Sequence, residues 1–200
     1  MGNPTSKPTL EDAIVLAAQL HKGQVDKAGV SYILHTLRVM QDPTLTSEDE
    51  RIVAVLHDTV EDCDITLEQL RERGYSVQVV DALDFLTKLP EEESNYDAFI
   101  ERVQSGPLLA RKVKLADLRD NADLSRLANP TEKDLARQEK YRRAIAALES
   151  ASRTNESRDK INQVTCSCND PSCRKCLQVN CQDPHCPTHT KTRKAVFRGQ

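Results

Sequence analysis

The sequence predicts an all-α fold for its first 151 residues, which we expect to form a helical bundle. Apolar residues recur there at intervals of three and four, and the strict alternation typical of strands is nearly absent. Helix-start and helix-end signals divide the segment into lengths typical of helices. Of the 200 residues, 38% are hydrophobic and only 4% aromatic, so the core should consist of Leu, Ile, Val and Ala. The few aromatic residues also argue against a stacking surface for single-stranded nucleic acid.

The first two predicted helices begin at hydroxyl capping residues. Thr9 and Asp12 have the spacing of a capping box and precede the apolar run 10–20, which ends before Gly23. Ser47 is followed by three acidic residues, whose charges suit the positive end of a helix dipole. A second helix is therefore predicted to begin there.

The later helices are bounded by turn residues. Thr66 begins a short helix that ends at Gly74, because glycine readily adopts the left-handed conformation that closes a helix. Gly106 and Pro107 separate the two apolar runs on either side of them. The other predicted helices cover 77–89, 96–103, 108–127 and 131–149.

Charge and cysteine content both change near residue 152. Residues 152–200 hold nine basic and four acidic side chains, whereas the preceding part is acidic overall. Six of the seven cysteines also lie in this last part, while Cys63 stands alone and is expected to be a small buried residue rather than a nucleophile. The predicted divisions are 1–151 for the helical domain, 152–165 for a linker or fraying helix end, and 166–200 for a Cys/His-rich module with a basic tail.

The stretch 55–62 carries the strongest chemical signal. His57 and Asp58 are about 100° apart if they lie on a helix, and Glu61 and Asp62 follow one turn later on the same face. Placing these groups toward a core costs free energy unless a cation neutralises the acids. A divalent metal ion is therefore one explanation, and a solvated charged face with a stray histidine is the other.

Two further residues would complete a metal site. His35 follows an apolar stretch, and Asp117 lies at the edge of an apolar helix. Each also has an ordinary explanation, as a core histidine and as a solvated or capping acid. Two imidazoles with two carboxylates suit Mn²⁺, Fe²⁺ or Zn²⁺ better than Ca²⁺. Glu61 and Asp62 would then be free for acid–base work on a bound water molecule.

Four blocks of the sequence, in order, resemble those of the HD-domain phosphohydrolases. The closer resemblance is to the (p)ppGpp hydrolases, namely the hydrolase domain of SpoT and RelA proteins and the small metazoan SpoT homologues. It covers about residues 9–127. The blocks are 21–35 (H-K-G-Q, then Y-I-L-H), 56–62 (L-H-D-T-V-E-D), 96–100 (Y-D-A-F-I) and 113–121 (V-K-L-A-D-L-R-D-N).

The resemblance implies a helical HD-domain bundle that removes the 3′-pyrophosphate from (p)ppGpp, giving GDP or GTP and pyrophosphate. The site residues that it implies are His35, His57, Asp58 and Asp117 for one Mn²⁺, Glu61 and Asp62 for the attacking water, Asn121 for the ribose and Lys27 for the phosphates. Because no synthetase domain is recognisable, we expect hydrolysis only.

The first block departs from the family pattern in its loop. In the family, basic residues usually follow the glutamine of this block, and an arginine among them packs on the nucleotide base. In this sequence those positions are occupied by Val25 and Asp26. A carboxylate cannot stack as a guanidinium does, so the base preference is open. Ser31 also replaces a proline, which changes loop stiffness. The alternatives are an HD phosphohydrolase for another nucleotide and, in a different class, a degenerate HD scaffold whose C-terminal module binds nucleic acid or protein.

Residues 166–189 contain a repeated pattern typical of metal ligands. A C-x₄-C-x₂-[C/H] unit with an Asp-Pro turn occurs twice, thirteen residues apart. We expect one or two Zn²⁺ ions, which would supply most of the folding free energy of so small a module. Disulfides, an Fe–S cluster and a metal-free disordered tail are the alternatives. The expected zinc ligands are Cys166, Cys168, Cys173, Cys176, Cys181, His185, Cys186 and His189.

The remaining features give only general expectations. The basic residues in 191–198 would either contact phosphates or form a solvated tail. No apolar run is long enough to span a membrane, and the N-terminus lacks the hydrophobic stretch of a secretory signal. We therefore expect a soluble, cytoplasmic protein.

Overall fold

A computed structural model of the chain describes residues 7–127 and 129–162, and in these ranges the fold is all-helical, as predicted. One isolated bridge, between Val25 and Ser31, is the only β pairing in the same ranges. Two 3₁₀ turns cover Pro90–Glu92 and Leu124–Arg126. The α-helices of the described ranges are α1 (Leu10–Leu20), α2 (Ile33–Met40), α3 (Glu48–Leu56), α4 (Thr59–Asp62), α5 (Leu67–Glu72), α6 (Val77–Leu86), α7 (Tyr96–Ser105), α8 (Leu108–Ala122) and α9 (Glu132–Asn162).

The predicted helix-start residues cap the helices that follow them. Thr9, Ser47 and Thr66 each form a capping box, in which the hydroxyl accepts a hydrogen bond from the third helical N–H and the third side chain accepts one from the cap N–H. Gly74 lies just beyond α5 with a φ of 89°, and its N–H donates to the carbonyl of Arg71. The predicted end of this helix is thus confirmed.

Several helix boundaries differ from the prediction. The predicted helix 77–89 ends at Leu86, and 108–127 ends at Ala122, because Asp123 is extended and accepts a hydrogen bond from the N–H of Ser125 to start a new turn. Helix α2 was not predicted. It has eight residues, and Tyr32 opens it without a side-chain cap, so it lacks a start signal in the sequence.

Helix α9 is longer than predicted. It extends from Glu132 to Asn162, through part of the stretch 152–165 that was expected to be a linker or fraying helix end. Contacts between Cα atoms divide the chain after Glu149. The division into domains stays a prediction, and the module predicted for 166–200 lies outside the described residues. None of the described helices is both long enough and apolar enough to cross a membrane.

Helix α3 is the centre of the larger hydrophobic cluster. The five consecutive residues at 52–56 have no exposed surface. Helices α1, α2, α6 and α8 all pack on α3 and cover its C-terminal half on every side. A smaller cluster joins α7, α8 and α9 around Phe99, Val103, Leu118 and Leu148. Because α8 belongs to both clusters, its side chains are held between two packed layers.

Glu50 joins the start of α3 to α8. Its carboxylate accepts hydrogen bonds from the N–H groups of Thr46 and Ser47 at 2.6 and 2.9 Å. It also accepts one from Lys112 Nζ at 2.5 Å. Although burial alone would raise the pKa of Glu50, the bond from Lys112 and the two backbone bonds lower that pKa to about 2.

We expect Glu50→Gln to lower the free energy of unfolding at pH 7 by about 1–2 kcal/mol. The amide oxygen can keep the hydrogen bonds from the backbone, but the ion pair with Lys112 is lost. The folded pKa of about 2 lies below the ordinary value of 4.5. The stabilisation is therefore complete above pH 4.5 and is lost as the pH falls toward 2. Urea unfolding of both proteins between pH 7 and pH 3 measures it.

The matched control is Glu68→Gln on α5. This glutamate is exposed and paired only with Arg71 one turn away, so we expect a change below about 0.5 kcal/mol. A difference between Glu50→Gln and the wild type that stayed constant from pH 7 to pH 3 would contradict the assigned role of the charge.

Candidate metal centre

Two histidines and two aspartates, distant in the sequence, converge at one point in the fold. His35 Nε2 lies 3.3 Å from Asp117 Oδ1 and 3.6 Å from Asp58 Oδ2. His57 Nε2 lies 2.9 Å from Asp58 Oδ2 and 3.6 Å from Asp117 Oδ1. Metal–ligand bonds of about 2.0–2.2 Å bring the donor atoms within about 3–3.5 Å of each other. Each imidazole nitrogen thus lies at such a distance from both aspartates, and the donor atoms of His35, His57 and Asp58 all lie within 4.8 Å of one another.

The hydrogen bonds of the two histidines fit a divalent cation at this point. His57 Nδ1 bonds to the carbonyl of Ala54 at 2.8 Å, and His35 Nδ1 bonds to Asp120 Oδ2 at 2.7 Å. Both Nε2 atoms consequently face the cluster. His57 is buried, and its Nε2, although 2.9 Å from Asp58 Oδ2, makes no contact with hydrogen-bond geometry; leaving a buried polar atom without a hydrogen bond costs free energy. A cation at the convergence point would remove this cost, and His35, His57 and Asp58 are spaced to hold one.

An interruption of the helix between α3 and α4 directs the side chains of His57 and Asp58 toward the same point. Helix α3 ends at Leu56, and a separate short helix begins at Thr59. Thr59 Oγ1 donates to the carbonyl of Leu56 at 2.7 Å and holds the turn. The expectation that all four charged residues of 55–62 share one continuous helix face is therefore wrong.

Polar residues around the cluster hold its members in place, and the sequence analysis assigned them no role. Lys114 Nζ donates to Asp117 Oδ2 at 2.8 Å, and the Tyr32 hydroxyl donates to Asp58 Oδ2 at 2.6 Å. Asp120, which bonds His35, also accepts from Arg38 Nε at 2.7 Å. Lys114 could have been found from the sequence, because residues three apart are neighbours on a helix surface.

Electrostatic contacts keep the aspartates of the cluster ionised. Burial would raise the pKa of Asp117, but Lys114 and the two histidines hold it well below its usual range. The pKa of Asp120 falls to about 2 because hydrogen bonds from His35 and Arg38 outweigh its burial. Burial would likewise lower the pKa of His35, but its bonds to three aspartates raise it to about 11. The cluster thus favours positive charge at its centre.

A cavity of about 560 Å³ opens above the cluster. The predicted acidic pair Glu61 and Asp62 lines it, and so do the predicted substrate contacts Lys27 and Asn121. The structure therefore brings these four residues together with the metal cluster, as the sequence led us to expect, while their individual roles stay predictions. The side-chain amide of Asn121 donates to Asp117 Oδ1, so this residue also supports the cluster.

The two acids of the pair lie in different surroundings. Glu61 Oε1 accepts from Lys88 Nζ at 2.7 Å, and Glu61 Oε2 accepts from the Lys88 N–H at 3.1 Å. The pKa of Asp62 is raised by its partial burial and by the neighbouring carboxylates of Asp58 and Glu61. Of the two carboxylates, that of Asp62 is therefore the one whose surroundings favour taking up a proton.

Six basic side chains line the cavity, together with nine acidic ones. Burial and the nearby Arg137 lower the pKa of both Lys27 and Lys140, which means that several positive charges crowd one wall. Such a wall attracts an anionic ligand and lowers the cost of desolvating it. The basic residues that line the cavity are Lys27, Lys88, Lys114, Arg126, Arg137 and Lys140.

The loop that departs from the family pattern has a local explanation. Asp26 Oδ1 accepts hydrogen bonds from the N–H groups of Ala28 and Val30 at 2.8 and 3.2 Å, so this carboxylate holds the loop together. Its Oδ2 lies 3.8 Å from Arg126 Nη1. A guanidinium thus reaches the cavity from the 3₁₀ turn after α8 and not from position 26.

Cys63 differs in part from its expected environment. It is only partly buried, and its Sγ lies 3.4 Å from His21 Nδ1, so a base does stand beside it. Burial nevertheless raises the pKa of the thiol, assisted by Asp62 and Asp58. The thiol form is favoured, which agrees with the expected lack of nucleophilic character.

The fold and the site together define a class: in its described residues, a helical protein whose clustered histidines and aspartates can hold a divalent cation beneath a cavity of mixed charge. A family model described as "HD domain" matches residues 13–154. The chain belongs to the HD domain family.

Curated relatives match part of the chain. A guanosine-3′,5′-bis(diphosphate) 3′-pyrophosphohydrolase of Aquifex aeolicus is 32% identical over 126 residues, which is 59% of this chain and 18% of the relative. The protein of the same description from Vibrio cholerae is 31% identical over 56% of this chain and 15% of its own length. A GTP pyrophosphokinase of Myxococcus xanthus is 34% identical over 40% of this chain and 11% of its own length. The chain spans less than a fifth of the length of these relatives.

A solved structure shares the fold. It is described as a metazoan ortholog of SpoT that hydrolyzes ppGpp, and it superposes with a TM-score of 0.61 at 22% identity. The match covers 72% of this chain and 88% of the other. The likeness confirms the HD-like helical fold that the sequence predicts.

We expect Asp120→Asn to weaken Mn²⁺ binding about 10-fold, because a carboxylate hydrogen-bonded to the far nitrogen of a histidine ligand orients the ring and raises its basicity. The asparagine can still accept a hydrogen bond from His35, but it lacks the negative charge that pairs with Arg38. Isothermal titration with Mn²⁺ measures the effect. Asp81→Asn, on the exposed side of α6, is the control and should bind like the wild type; equal affinity in the Asp120→Asn protein would contradict the expectation.

Proposed function

We propose that the protein is a Mn²⁺-dependent hydrolase that removes the 3′-pyrophosphate from guanosine 3′,5′-bis(diphosphate) or its pentaphosphate, giving GDP or GTP and pyrophosphate. The observation that carries the proposal is the grouping of His35, His57 and Asp58 at metal-ligand spacing, with Asp117 beside both histidines, beneath a cavity that also contains an acidic pair. The named activity of two relatives supports it. HD-domain membership supports a divalent metal, and the mixed N/O donor set suits Mn²⁺.

Within this proposal the cation would be held by His35, His57, Asp58 and Asp117. When bound, it lowers the pKa of a water molecule and polarises a phosphoryl oxygen. Glu61, whose carboxylate is fixed by Lys88, orients the attacking water. Asp62, whose pKa is raised, accepts a proton from the water as it attacks the phosphorus bonded to the ribose 3′ oxygen. The bond between that phosphorus and the 3′ oxygen breaks, so that pyrophosphate leaves and the 3′ oxygen takes up a proton from solvent to become a hydroxyl.

The cavity walls would bind the rest of the nucleotide. Lys27 and its neighbours Arg137 and Lys140 supply positive charge for phosphate groups. Asn121 would contact the ribose, and its bond to Asp117 sets the position of its amide. Sugar and phosphates would thereby be held at fixed distances from the reacting phosphorus.

A second candidate is hydrolysis of another 3′-phosphorylated nucleotide. Asp26 favours it, because this residue stands where the family pattern has a basic residue and its carboxylate is engaged with the loop backbone. The third possibility, a degenerate scaffold, is less well supported, because such a scaffold has no physical need for a complete donor set beside two acids.

We expect purified protein with Mn²⁺ to release pyrophosphate from ppGpp. Glu61→Gln and Asp62→Asn should each lower the rate about 10²–10⁴-fold, since they remove water orientation and proton transfer, and both should still bind Mn²⁺. Pyrophosphate release and metal titration are measured on the same preparations.

The control variants for this test are Glu68→Gln and Asp81→Asn, which make the same chemical changes on exposed surfaces. They should retain full activity. Pyrophosphate release that persisted in both acidic-pair variants would reject their roles, and activity on other nucleotides but not on ppGpp would favour the second candidate.

We also propose a separate zinc module within 166–200, supported by the repeated cysteine spacing in the sequence. Such thiols need a reducing compartment, so we place the protein in the cytoplasm. The full chain should hold one or two Zn²⁺ ions that a double variant, Cys173→Ser with Cys186→Ser, loses while it still binds Mn²⁺. Mass spectrometry under native conditions counts the ions. Cys63→Ser is the control, and zinc retained by the double variant would contradict the module.

A further inference from the structure

The carboxylate of Glu61 is held at both of its oxygens by one residue. Lys88 Nζ donates to Oε1 at 2.7 Å, and the backbone N–H of Lys88 donates to Oε2 at 3.1 Å. The two donors are connected through the same side chain, so they fix the position of the carboxylate and also its rotation. A carboxylate has about four lone-pair sites, so Glu61 can still accept a hydrogen bond from a water molecule in the cavity.

The backbone at Lys88 is itself held by a buried ion pair. Arg102, on α7, donates from Nη2 to the carbonyl of Thr87 at 2.7 Å and from Nε to Glu92 Oε1 at 2.7 Å. Glu92 is only 5% exposed and accepts from the N–H of Leu89 at 2.9 Å. Thr87 and Leu89, the residues on either side of Lys88, are therefore both tied to this ion pair.

The guanidinium of Arg102 has little freedom to move. It lies 5.5 Å from the ring centre of Phe99 and 5.8 Å from that of Phe85. Phe99 belongs to the smaller hydrophobic cluster. Arg102 and the segment 87–92 thus connect the smaller hydrophobic cluster to Glu61 in the cavity wall.

We propose that Lys88 is a positioning residue for Glu61, held in place by the Arg102–Glu92 ion pair, and that it acts on the reaction through Glu61 and not through a contact with the substrate. This inference rests on the proposed function for its kinetic consequence only. Holding a group within a fraction of an ångström of its productive position is worth orders of magnitude in rate. Lys88 also lines the cavity, so a direct contact with a phosphate group is the competing role.

A double-mutant cycle separates the two roles. Lys88→Met in the wild-type background should lower kcat about 10-fold or more with little change in KM, and Lys88→Arg should recover part of the loss. In the Glu61→Gln background, Lys88→Met should cause almost no further loss, because the residue through which it acts is already altered. Equal losses in both backgrounds, or a loss expressed mainly in KM, would overturn the proposal in favour of a phosphate contact.

A measurement without substrate keeps this test independent of the proposed function. The backbone N–H of Lys88 should exchange slowly with solvent deuterium in the full-length protein. It should exchange at least 10-fold faster in Glu61→Ala. Glu91→Ala, an exposed change in the adjacent 3₁₀ turn, is the control and should leave the rate as in the wild type. Equal exchange in the wild type and Glu61→Ala would overturn the positioning contact, whereas a lack of ppGpp hydrolysis with the expected exchange pattern would reject only the substrate.

Discussion

Negative charge buried beneath the cavity is the constraint on which the rest of the structure depends. Asp58 and Asp117 lie close together, where a carboxylate is stable only beside compensating positive charge or hydrogen-bond donors. Lys114 and the two histidines supply part of that compensation to Asp117. A divalent cation at the convergence point would supply the remainder, which explains why acids that are costly to bury are gathered there.

Helix α3 makes that arrangement possible because its C-terminal half, residues 52–56, is fully buried. Its apolar residues leave no exposed face, so its C-terminal end projects His57 into the interior rather than into solvent. The turn after Leu56 then redirects the chain, so that α4 carries Glu61 and Asp62 to the cavity wall. Helix α8, packed in both hydrophobic clusters, brings Asp117 to the same point. The site is therefore positioned by the packing of the two clusters.

Local chemistry was predictable from the sequence, whereas contacts between distant residues were not. The capping boxes and the end of α5 at Gly74 depend on residues at most a few positions apart, and these predictions are confirmed. Asp120 and Lys88 had no assigned role because their partners, His35 and Glu61, are 85 and 27 positions away. Helix α2 was missed because it begins without a capping side chain. The charged residues of 55–62, with His35 and Asp117, already suggested a metal site, and their match to a known order of blocks favoured it over the ordinary explanations.

Apart from Lys27, the basic residues of the cavity come from elements other than the loop where the family pattern has them. Asp26 stands in that loop, and its carboxylate is used by the backbone N–H groups of the loop itself. Arg126 brings a guanidinium to the cavity from the turn after α8, and α9 adds Arg137 and Lys140. Binding a polyanion depends on the summed field of nearby charges more than on any single position. The aspartate at position 26 therefore bears on which base is accepted, while the cations that would bind phosphate groups are still in place.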